Sequence, residues 1–176
     1  MPDAPTLTPE QLERFRAIGL RLDKDGHLWH QDARVEHPRL HQAVLRWLDV
    51  GDDGRDIVRL DDARYAYVEV EDTHLRVTAA RWHAARLDLV LDDGSEEELA
   101  YASLVLGADG ALRCRVRGGR LTARFTSAAQ QVALERLDGD GAGTGNDDGG
   151  HVLIAAGRRW PIAAAAAANA PDHTRP

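Results

Sequence analysis

Asp109-Gly110-Ala111-Leu112-Arg113-Cys114-Arg115-Val116 is an Asp-Gly turn signal followed by strict alternation. Leu112, Cys114 and Val116 fall on one face, and Arg113 and Arg115, with Arg117 just beyond, on the other. A period of two marks a half-buried strand. The same order stands earlier, where Asp25-Gly26 precedes the short run His27-Leu28-Trp29-His30. A helix is expected after each. Leu40, Val44, Trp47 and Leu48 form an apolar stripe in a helix starting at Pro38, which closes in Leu48-Asp49-Val50-Gly51-Asp52. Ser127 is placed to cap a second helix with Ala129, Val132, Ala133 and Leu137 on one side, closing in Leu137-Asp138-Gly139-Asp140. The chain thus reads as an α+β protein of two repeated motifs, each a helix packed on a mostly antiparallel β-meander.

Thr8-Pro9-Glu10-Gln11 carries a capping box with proline in the first helical turn, so a helix opens the chain and Gly19 ends it. Between the two motifs, Ala66, Val68 and Val70, then Leu75, Val77 and Ala79, then Leu87, Leu89 and Leu91 alternate with polar residues. Asp92-Asp93-Gly94 turns the chain toward Leu99. The expected organisation is one compact unit: residues 1–19 an N-terminal helix, 20–84 the first motif, 85–162 the second, and 163–176 a disordered alanine-rich tail. Residues 139–150, almost all glycine, aspartate and small residues, are expected to be a mobile loop.

The formal net charge of −7, with Lys24 as the single lysine, argues against nucleic-acid binding, which draws its affinity from neutralising phosphates. Cys114 is the one cysteine, so no internal disulfide forms and a reducing, cytoplasmic location is expected. No apolar stretch approaches the ~20 residues a membrane span needs.

Four segments carry a resemblance. Asp25-Gly26-His27-Leu28-Trp29-His30, Val70-Glu71-Asp72-Thr73-His74-Leu75, Arg117-Gly118-Gly119-Arg120-Leu121-Thr122-Ala123-Arg124-Phe125 and Gly157-Arg158-Arg159-Trp160-Pro161-Ile162 follow in the order of an uncharacterised bacterial family, domain of unknown function 1285, which the chain resembles from about Leu20 to Ile162. The resemblance implies two repeated α/β motifs and a place in signal transduction or ligand sensing, with no established reaction.

The candidate ligand-binding residues are Trp29, His30, Glu71, Asp72, His74, Arg115, Arg117 and Arg120. Arginine forks suit carboxylate or phosphate, although in an acidic chain Arg113, Arg115 and Arg117 are expected to pair with Glu96-Glu97-Glu98 across the sheet. Glu69 and Glu71 share a strand face, which is ordinarily solvated. His37 and His41 lie one helical turn apart, so an alternative metal set is His30, His37, His41 and Asp72. Trp47 belongs to a core stripe, while Trp29, Trp82 and Trp160 suit either core or pocket. With no Gly-x-Ser-x-Gly and no phosphate loop, and Cys114 expected to point inward, no catalytic residue and no cofactor are assigned. The leading expectation is a non-catalytic ligand-sensing module binding a small anion or a protein partner in the cleft between the motifs. A metal-dependent hydrolase and a protein-interaction scaffold are the alternatives.

Overall fold

The computed structural model describes residues 8–138 and 151–164; the expected loop at 139–150 and residues 165–176 of the expected tail lie outside them. After α1 (Pro9–Arg16), the first motif runs β1 (Leu20–Leu22), β2 (Leu28–His30), β3 (Ala33–Arg34), α2 (Pro38–Arg46), β4 (Leu48–Val50), β5 (Asp56–Arg59) and β6 (Tyr65–Val70). A three-stranded insert follows: β7 (Leu75–His83), β8 (Arg86–Leu91) and β9 (Glu96–Glu98). The second motif runs β10 (Val105–Leu106), β11 (Leu112–Val116), β12 (Leu121–Phe125), α3 (Ser127–Leu134), β13 (Leu137–Asp138), β14 (His151–Ala155) and β15 (Arg158–Ala164).

The repetition is legible in the pairing. The first sheet is ordered β3-β2-β1-β6-β5-β4, and β12-β11-β10-β15-β14-β13 has the same order within the second sheet. In both, the first and last strands of the motif meet in parallel at the centre, β1 with β6 and β10 with β15, and the other neighbours are antiparallel. The insert joins the second sheet through parallel pairing of β7 with β12. The expected boundary between residues 84 and 85 therefore falls in the turn of the β7–β8 hairpin, and the second sheet already begins at Leu75. β15 runs two residues into the expected tail, because Ala163 and Ala164 pair with Val105 and Leu106.

One turn is used four times. Asp23, Gly51, Leu91 and Gly107 each donate their N–H to the carbonyl four residues on, and accept at their own carbonyl from a glycine three residues on. Those glycines, Gly26, Gly54, Gly94 and Gly110, each follow an aspartate and have φ between +75° and +85°. This is a three-residue hairpin closed by a left-handed glycine. Gly26 and Gly110 occupy equivalent positions in different surroundings. A Cβ on Gly26 would stand 2.4 Å from the buried Arg76 Nε, whereas one on Gly110 meets nothing within 4 Å. Gly110→Ala is expected to cost about 1 kcal/mol from its backbone alone, and Gly26→Ala at least twice that, a difference urea denaturation will measure.

Leu22 and Leu28 of the first motif and Leu112, Cys114 and Val116 of the second belong to one connected buried core. α3 lies on β7 and β12, and the Trp82 indole donates to the Val132 carbonyl at 2.8 Å, so Trp82 is core-packed. Four expectations are corrected. α2 ends at Arg46 and Trp47 is its C-cap, 43% exposed, because helical spacing no longer holds there. Leu40 is exposed with the rest of the first turn of α2. Thr126, not Ser127, caps α3, and Leu137 lies in β13 beyond the helix. A register shift between Val77 and Ala79 turns Ala80, rather than Ala79, into the core. Among the described residues no helix is long and apolar enough to cross a membrane.

Candidate functional site

The expected ligand-binding residues are dispersed over several places. Trp29 and Glu71 share one: Arg21 lies over the Trp29 ring and pairs with Glu71, while the Trp29 indole donates to Asp23. His30 is exposed at the end of β2, and Arg115 is exposed on β11. Asp72 is held in a four-member ion cluster. Arg113 reaches both Asp72 (2.9 Å) and Asp109 (2.9 Å), and Arg124 reaches Asp72 (3.1 Å) and Asp109 (2.7 Å). Hydrogen bonds from Arg113 hold the Asp109 carboxyl well below the usual range. His74 links the motifs, with Nε2 on Asp56 of β5 (2.8 Å) and Nδ1 on Thr122 of β12, where it accepts the Thr122 backbone N–H at 3.1 Å and lies 2.9 Å from the hydroxyl.

The alternative metal set does not assemble. The His37 ring accepts the Leu40 N–H as the N-cap of α2, the His41 ring is bound to the Gly26 carbonyl, and Asp72 is committed to two arginines. Among the described residues the group of three with ligand atoms within 4.8 Å is instead Asp23, Asp25 and His27. Asp23 there is consumed by its own turn: Oδ1 accepts the Asp25 and His27 N–H groups, and Oδ2 accepts the Trp29 indole and contacts the His27 ring. Burial raises the Asp23 carboxyl, but the Trp29 indole and the His27 and Asp25 backbone donors outweigh it and bring its pKa down to about 2. A carboxylate depressed in the native state stabilises above its unfolded value of 3.8, and the gain is lost as pH falls from about 4 toward 2. With the side chain 13% exposed, the contribution after screening is about 1–2 kcal/mol. Urea titrations at pH 5 and pH 2 are expected to show Asp23→Asn losing that much less stability over this interval than the parent.

Arg117 and Arg120 do meet in one place. They line a cleft of about 280 Å³ between the motifs, to which the first contributes Arg46, Trp47, Leu48, Asp49 and Arg59. Arg117 does not pair with the Glu96-Glu97-Glu98 run through its side chain as expected; only its backbone N–H donates to Glu97. The reason is positional: Arg117 sits past the end of β11 with φ +50°, which swings its side chain toward α2. The guanidinium donates to the carbonyls of Leu45 (3.2 Å) and Arg46 (3.0 Å), acceptors that α2 leaves unfilled at its C-terminus, and to that of Leu48 (3.0 Å) at the start of β4, and it pairs with Asp93. Burial pushes the Asp93 carboxyl up, but Ser95 and Arg117 outweigh it, so its pKa lies below the ordinary range.

At the rim, Asp49 bridges the motifs, taking Arg59 Nε at 3.2 Å and Arg120 Nη2 at 2.5 Å. Arg46 spends Nε on the Asp93 carbonyl. The other side-chain donors of Arg46, Arg59 and Arg120 have no protein partner among the described residues, and the exposed Trp47 lies beside them. Sequence reasoning missed Arg46, Arg59, Asp49 and the exposure of Trp47; the usable signal was an Arg-Trp pair at the helix's acidic closing turn. A larger cavity of about 600 Å³ lies between α1 and β6. Its two arginines are each ion-paired, Arg16 with Glu13 and Arg55 with Asp53, and the Arg16 Nε is buried without a hydrogen-bond partner. Cys114 is buried, which raises its thiol to about 12 and keeps it inert.

No family model and no curated protein matches the chain. Two solved structures do. A DUF1285 family protein from Silicibacter pomeroyi DSS-3 superposes with a TM-score of 0.65 at 16% identity, over 84% of this chain and 80% of that one. A DUF1285 family protein from Shewanella baltica OS155 gives 0.53 at 14% identity, over 64% and 87%. The chain therefore has the DUF1285-like fold expected from its sequence.

Proposed function

We propose that this chain is a non-catalytic ligand-sensing module that takes a small anion in the cleft between its two motifs. The observation that carries this reading is the convergence of arginines from both motifs beside an exposed indole, with side-chain donors still open. Guanidinium forks bind carboxylate and phosphate through paired, charge-assisted hydrogen bonds. A ligand held by Arg59 on β5 and Arg120 near the start of β12 touches both motifs, so it favours whichever relative arrangement presents the two together. Arg117, wedged against the end of α2, would pass that preference to the helix.

Thermal denaturation of tag-free protein tests this against inorganic phosphate, acetate and benzoate at matched ionic strength. An anion at one hundred times its Kd adds about 2.7 kcal/mol, a rise of roughly 5–10 °C for a chain of this size. The rise is expected to vanish in the Arg59→Gln/Arg120→Gln double variant. An equal rise in that variant contradicts the cleft, and a rise with zinc or manganese alone supports the metal-dependent hydrolase instead.

A further inference from the structure

We infer that the cleft is shaped for a carboxylate carried on a small flat ring, and that Asp49 is its built-in stand-in, holding Arg59 and Arg120 in the arrangement the ligand's carboxylate takes over. The inference rests on the anion-binding reading above and gives it a ligand class and a control element. Among the described residues Asp49 is the one carboxylate lining the cleft, and each of its oxygens engages an arginine from a different motif. A planar carboxylate spread between two guanidinium groups is the geometry an incoming carboxylate needs. Asp49 also accepts its neighbour's backbone N–H, from Val50, at 2.9 Å, so it keeps a partner when the arginines turn to a ligand.

A flat apolar surface stands beside the charges. Trp47 is 43% exposed, a large flat apolar surface at the cleft's edge, with the buried Leu48 and Leu121 beneath. Aromatic faces stack on aromatic ligands, and arginine adds its own planar face. Size agrees with this class: about 280 Å³, near the lower end of the ~300–1,000 Å³ of sites for drug-sized molecules, has room for one ring with one acid group. Because Asp49 carries the ligand's own charge at the ligand's own place, it weakens every anion, and those whose ring adds stacking offset that cost.

Calorimetric titration of the full chain with benzoate, cyclohexanecarboxylate and inorganic phosphate is the test. The parent is expected to bind benzoate more tightly than the other two. Asp49→Asn, which removes a like charge within a few ångströms of the ligand, is expected to tighten benzoate at least fivefold, and Trp47→Leu to abolish the preference for benzoate over cyclohexanecarboxylate. If the parent binds anions and Asp49→Asn binds them no tighter, the stand-in is wrong while the anion cleft survives; phosphate as the tightest ligand overturns the flat-ring class. If no anion binds to either protein, both ideas fall. Should Asp49→Asn not fold, benzoate added to the parent must still shift the Arg59 and Arg120 Nε–H resonances, and their constancy overturns the proposal.

Discussion

Arg117→Ala is expected to cost about 3 kcal/mol, the largest loss for any single arginine among the described residues. The substitution leaves Asp93, 1% exposed, without its cation and the carbonyls of Leu45, Arg46 and Leu48 without their donor. Breaking a buried pair by removing one partner costs ~3–5 kcal/mol, and the partial exposure of Arg117 puts the effect at the lower end. For a chain of this length that is a fall in Tm of roughly 6–12 °C. Lysine restores the charge without the fork and cannot serve three carbonyls and a carboxylate together, so Arg117→Lys is expected to recover less than half. Arg115→Ala, two residues away and exposed, is expected to stay within ~0.5 kcal/mol of the parent. Urea denaturation at pH 7 decides the matter, and a loss under 1 kcal/mol for Arg117→Ala would contradict the assignment.

Leu28→Ala and Leu112→Ala test whether the repeated motifs share one core. The two leucines are equivalent, each pairing with the last residue of the preceding strand, Leu22 and Leu106, and each is almost wholly buried. Truncating such a side chain removes its transfer energy and leaves a cavity, so each variant is expected to lose about 3 kcal/mol. Since both belong to the same connected cluster, each should lower a single cooperative transition by a similar amount. Two separate transitions in the calorimeter, only one of them moved by each variant, would show that the motifs unfold independently.

Sequence carried the fold further than the site for a physical reason. Asp-Gly turns, alternation and capping boxes are local, and the four identical hairpins follow from residues within five positions of one another. The repeat was readable because Asp25-Gly26 and Asp109-Gly110 introduce the same strand pair. The parallel meeting of β1 with β6 and of β10 with β15 spans whole motifs and leaves no short-range signal. The site depends on such long-range placement. Arg117 and Arg120 could be singled out as basic residues, but that they would face Arg46, Arg59 and Trp47, about sixty to seventy positions earlier, follows only from how the motifs dock. Asp72 and His74 were singled out beside them, yet one belongs to an ion cluster and the other to a link between the sheets.

The central claim is that a small anion binds between the motifs beside Trp47. The most direct measurement is the Trp47 indole N–H resonance, assigned by substitution and followed by NMR as benzoate or inorganic phosphate is added. A saturable shift of that resonance is expected, with those of Trp29, Trp82 and Trp160 unmoved, and its loss in the Arg59→Gln/Arg120→Gln variant. A resonance that stays in place for every anion, or moves equally in the variant, would contradict that claim.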